Sequence, residues 1–165
     1  AAEGIALEML ERIVRIELTE TLREKLGKTY APSASSAPSQ FWRGYGTFAL
    51  GASVAVSEVP ATRAAIAETL ARLRETPVSA DTFQRARQPL IETYENALKN
   101  NRGWLMLVDR AQTEADRIER FLKGKERLLA LTAADIQGLV RRYLGDKQAA
   151  EILVLPEGVD EPAKP

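Results

Sequence analysis

The chain has 165 residues, 28% of them charged and balanced at 23 Lys+Arg against 23 Asp+Glu, with no cysteine and no histidine. The length suits one domain burying roughly two thirds of its unfolded surface, and the missing residue types exclude a Ser-His-Asp or Cys-His nucleophile, imidazole- or thiolate-bound zinc, iron-sulfur clusters and disulfides from within the chain. Balanced charge gives no electrostatic reason for nucleic-acid binding, and no apolar run approaches the roughly 20 residues of a membrane span, so neither partner is expected.

From Ala6 to Leu26, apolar residues at Leu7, Leu10, Val14, Leu18, Leu22 and Leu26 step by three or four onto one stripe. That spacing predicts a long amphipathic helix, closed by Gly27 in a left-handed conformation. Tyr30 to Gln40 is rich in serine and alanine, and Pro32 limits it to an edge strand at most. Tyr45 to Val56 alternates, with Phe48, Leu50, Ala52, Val54 and Val56 on one face, and reads as a strand. Phe41, Trp42 and Tyr45 at its start fit a binding ledge or a hairpin packed on neighbouring structure, and the second reading is preferred.

Pro60 opens a helix carrying Ile66, Leu70 and Leu73, stopped at Thr76-Pro77. Ser79 caps the next, which turns Phe83, Leu90, Tyr94 and Leu98 inward, is expected to bend or break at Pro89, and ends at Asn100-Asn101. Trp104, Leu105, Leu107, Val108 and Ala111 suggest a further helix, with Trp104 in the core. A helical zone from Ala115 to Leu122 is interrupted at Lys123-Gly124-Lys125. Thr132 to Asp135 has the form of a capping box for a helix bearing Ile136, Leu139, Val140 and Tyr143, with Gly145 as its stop. Ile152 to Leu155 is expected to be a short strand, and 157–165 a disordered tail.

Strands and helices are segregated rather than alternating, which places the chain in the α+β class, with several helices on one face of a mainly antiparallel sheet. Three strands are few for so much helix, so a piece of a longer polypeptide is expected; a helical bundle with a minor hairpin is the alternative.

Carboxylate pairs such as Glu8 with Glu11 and Asp116 with Glu119 stand at helical spacing. A metal or acid-base role for them would need burial and a shifted pKa, and a solvated face is the simpler reading. There is no phosphate loop, dinucleotide glycine fingerprint or GxSxG elbow. One constellation stands above this background: Leu22 to Tyr30 reads LREKLGKTY. It sets the Arg23 guanidinium on a last helical turn and the Tyr30 phenol just beyond a glycine turn, near enough to converge on a polar object such as a peptide carbonyl. The structural alternative is that Arg23 complements the helix dipole and Tyr30 packs.

LREKLGKTY resembles the Arg-(x)6-Tyr motif in the carboxy-terminal, zinc-free half of the insulinase/pitrilysin family of zinc metallopeptidases, which includes the mitochondrial processing peptidases. The resemblance continues through GTFALGASVAV and the following helix pair to VRRYLGDKQAAEILVLP, about residues 5 to 156. It implies a metallopeptidase-half fold over 1–156 that acts as the non-catalytic companion of a zinc-bearing homologous domain or subunit. The two would close like a clamshell on an extended peptide substrate, with a dimer possible. Zinc and its inverted His-x-x-Glu-His site would belong to the partner, and this chain would hold neither metal nor cofactor. Carried over, Arg23 would orient a substrate backbone carbonyl and Tyr30 would donate a hydrogen bond near the scissile carbonyl or its tetrahedral intermediate. The alternative within the family is a structural, protein-interaction module with no catalytic share. Lys28 departs from the pattern, standing where an apolar residue is expected. The family domain also has strand structure before its first helix, so truncation at the amino end is expected. A periplasmic setting is favoured by the resemblance alone.

Overall fold

The computed structural model describes residues 2–27, 31–39, 41–42, 44–109, 111–145, 149–160 and 162, and a 25-residue helix, α1 (Ala2–Leu26), organises them. Met9, Leu10, Ile13, Val14, Leu18 and Leu22 of α1 are buried. The stripe is wider than the spacing of leucines predicts, and Leu7 and Leu26 at its margins are only half-buried. The cause is enclosure, since helices pack on one side of α1 and a hairpin on another. Gly27 ends the helix at φ 62°, a conformation costly for a residue with a Cβ, and its N–H reaches the Arg23 carbonyl at 3.0 Å.

The hairpin pairs β1 (Ser33–Pro38) with β2 (Gly46–Gly51) antiparallel, with Ser35 opposite Ala49 and Ser36 opposite Phe48. Ala34, Phe48 and Leu50 lie against the core. The class is α+β and the sheet antiparallel as expected, but 63% of the structure is helical and the sheet has two strands among the described residues, fewer than the three expected. Strand pairing stops at Gly51, whose partner Ser33 begins β1 and is preceded by Pro32, which has no N–H to donate to a ladder. The alternation continues beyond it, with Ala52, Val54 and Val56 half-buried and without a ladder. The expected strand at Ile152 to Leu155 does not form: Ile152 and Val154 are 88% and 87% exposed. Side-chain ties hold that segment instead, Arg63 meeting Glu151 at 2.5 Å and the Pro162 carbonyl at 3.5 Å.

After a 3-10 turn at Val56–Glu58, α2 (Val59–Glu75) begins with Pro60 in its first turn and α3 (Ala80–Ala97) begins at Ser79, whose hydroxyl accepts the Thr82 N–H at 3.1 Å. Pro89 does not break α3. Its missing bond falls on an exposed face, where water can serve the freed carbonyl, and Thr93 donates its hydroxyl to the Pro89 carbonyl at 2.8 Å. Then come α4 (Asn101–Val108), α5 (Arg117–Leu122), α6 (Gly124–Ala130) and α7 (Ala133–Tyr143). Thr132 and Asp135 form the reciprocal capping box of α7.

The core is formed where α1 meets Leu73 of α2, Phe83, Ala86 and Leu90 of α3, Leu128 of α6, and Ile136 and Val140 of α7. Trp104 is not part of it. It stays 51% exposed, with its ring N–H donating to the Leu98 carbonyl at 3.0 Å. Among the described residues no helix is long and apolar enough to cross a membrane.

Candidate functional site

The site begins at the carboxyl end of α1. Arg15, Thr19 and Arg23 are four residues apart, so they form one row along the helix, with Ile16 and Glu20 on the adjacent row. These five line an open cavity of about 300 Å³. Its other walls are Ala31 and Pro32, which lead into β1, and Arg85 of α3. Pro32 is buried, whereas Arg15, Arg23 and Arg85 are all exposed. The walls therefore join a small apolar floor to three guanidinium groups.

Arg85 is held in place: it donates to Glu20 at 2.7 Å and to Asp81 at 3.4 Å, and these partners raise its pKa further, the Glu20 hydrogen bond foremost. The guanidinium groups of Arg15 and Arg23 make no ion pair among the described residues, although charge is paired at many other points. Arg72 meets Glu17, Lys125 meets Glu95, Arg142 meets Glu3 and Arg120 meets Glu114.

The same face of α1 continues toward its amino end into a smaller cavity of about 90 Å³, lined by Glu8, Glu11, Arg12, Arg15 and Ala34. Glu11 accepts the backbone N–H and the hydroxyl of Ser36, and so occupies a polar group of β1. Burial pushes the Glu8 carboxyl above its usual range, against the opposing pull of Arg12. Asp116 and Glu119 pair with Arg120 and Lys123 at 3.5 and 2.7 Å, as exposed i,i+4 ion pairs. Among the described residues no cluster of His, Cys, Asp or Glu could hold a metal ion.

Arg23 thus sits on the exposed last turn of α1, opening into the larger cavity. Tyr30 and Lys28 lie outside the described residues. Phe41, Trp42 and Tyr45 do not pack on neighbouring structure; at 91%, 65% and 65% exposure they crown the free end of the hairpin. Sequence reasoning missed Arg15 and Arg85. The four-residue spacing of Arg15 and Arg23 was a usable signal, whereas Arg85 comes from another helix and reaches the site only through the packing of α3 on α1.

Residues 2–90, from α1 through most of α3, match the family model described as the peptidase M16 inactive domain. The chain belongs to this family. It is a carboxy-terminal, non-catalytic domain of the insulinase type, which agrees with a chain that carries no histidine. The match covers LREKLGKTY and the hairpin and ends at residue 90, short of VRRYLGDKQAAEILVLP. No curated protein matches the chain.

Proposed function

We propose that residues 1–156 form the companion half of a zinc metalloendopeptidase, closing a peptide chamber over a homologous domain or subunit that carries the zinc. In this reading Arg23 orients a substrate backbone carbonyl and Tyr30 donates a hydrogen bond at the scissile carbonyl, while metal and general base lie in the partner. The observation that carries it is the exposed Arg23 at the mouth of the cavity, in a domain of the inactive M16 family with no histidine of its own. A guanidinium that makes no ion pair among the described residues, on a helix end fixed by a buried stripe, is available to donate to charge developing on a substrate oxygen.

The test uses the intact protein together with its zinc-bearing half. Arg23→Ala and Tyr30→Phe should each lower peptide turnover by about tenfold or more, the scale of losing one transition-state donor, with zinc content unchanged. Wild-type turnover in both variants would remove the assigned roles and leave the domain as a structural interaction module.

A further inference from the structure

We propose that the cavity between α1 and α3 is a subsite for a carboxylate carried by the bound peptide. The inference rests on the reading of this domain as one wall of a peptide chamber, and it adds the chemistry of what that wall selects.

The argument begins with charge. Three guanidinium groups, those of Arg15, Arg23 and Arg85, line the cavity against one carboxylate, Glu20, and Glu20 is already taken by Arg85 at 2.7 Å. Arg15 and Arg23 make no ion pair among the described residues, although Arg15 also borders the smaller cavity with Glu8 and Glu11. Arg15 and Arg23 lie about 12 Å apart along the helix axis, from a rise of about 1.5 Å per residue. Their long side chains can both reach a group seated over Thr19, midway between them. Thr19 donates its hydroxyl to the Arg15 carbonyl at 2.7 Å, so toward the cavity its oxygen acts as an acceptor and the guanidinium groups supply the anion-binding donors.

Size and lining narrow the ligand. A volume of about 300 Å³ is at the small end of ligand pockets, suited to a side chain or chain end rather than a cofactor. Ile16, Ala31 and Pro32 offer apolar surface for the methylenes that precede a carboxylate. Arginine favours this group because its planar fork meets both carboxylate oxygens at once. A glutamate or aspartate side chain and a free peptide carboxy terminus share this chemistry. Glu20 acts as an internal competitor, holding Arg85 until a ligand carboxylate replaces it.

The experiment measures binding of four fluorescent heptapeptides to the chain by anisotropy at low ionic strength. They are identical except for Glu or Gln at the centre and a free or amidated carboxy terminus. Peptides bearing the recognised carboxylate should bind about fivefold tighter than those lacking it, with the difference fading as salt screens exposed charges. The arm that carries the preference names the source. Arg15→Gln should abolish the preference. Glu20→Gln should strengthen it by releasing Arg85, a gain that mere destabilisation cannot produce. Equal binding of all four peptides, or a preference that survives Arg15→Gln, overturns the subsite and leaves the peptide chamber standing. Failure of every peptide to bind overturns the subsite, whereas the companion-half reading falls only if turnover survives Arg23→Ala and Tyr30→Phe.

Discussion

Helices α1 and α4 are both rich in apolar residues, and their fates are opposite. Six large apolar side chains of α1 are buried, whereas in α4 Trp104, Leu105, Met106 and Val108 are exposed and Leu107 alone is buried. The difference lies in spacing and length. In α1 the apolar residues recur over seven turns on a face that several elements can cover. In α4 five stand side by side in a helix of 8 residues, so they point all round and one neighbour can cover only one of them. Polar ties hold α4 instead: Asn100 caps its start, and Arg117 reaches the Leu107 and Met106 carbonyls at its end, at 3.0 and 2.7 Å.

The largest effect should come from the better packed of the two. Ile13→Ala removes a fully buried side chain from the centre of α1 and should cost about 2–5 kcal/mol in urea unfolding. Leu105→Ala, at a side chain 67% exposed, should stay within about 0.5 kcal/mol. Similar losses at both positions would break the contrast between the helices.

A smaller effect with a different signature is expected at Gly103. A Cβ there would lie 1.4 Å from the Ala97 carbonyl oxygen, so α4 can cross the end of α3 only on a glycine. Gly103→Ala forces α4 off that seat. The loss should be about 1–3 kcal/mol, and hydrogen exchange should show it as lost protection over 101–108 with α1 still protected. Equal loss of protection in both helices would mean that α4 belongs to the same cooperative unit as the core.

The contrast also marks what could be read from the sequence. The stripe of α1, the Gly27 stop, the Ser79 cap and the Thr132–Asp135 box are local patterns whose partners lie within a few residues, and each formed as expected. Trp104 in the core and a strand at Ile152–Leu155 failed because burial and pairing need a distant partner that composition does not reveal. Arg23 was singled out by its motif, and the cavity it lines was not, since Arg85 approaches across the α1–α3 interface 62 positions away in sequence.

The smallest effect tests whether α1 is tuned for packing throughout. Glu8 is only partly buried, and burial, more than the neighbouring Glu11, raises its pKa above the ordinary glutamate range while Arg12 opposes the shift. A raised pKa means that the folded chain binds the proton more tightly than the unfolded one. Stability is then greatest below the ordinary glutamate range and falls as pH rises through the raised value. Asp135 has the opposite sign: hydrogen bonds from Thr132 lower its pKa, so its contribution is present at neutral pH and lost on acidification. Glu8→Gln should therefore stabilise the chain at pH 7 by less than about 1 kcal/mol, since solvent screens a half-exposed group, and the gain should vanish below pH 4.5. A variant less stable than wild type at pH 7 would show that attraction to Arg12 outweighs the burial cost. In that event the amino half of α1 would be held by its charges as well as its apolar stripe, and the distinction from the polar-tied α4 would be one of degree.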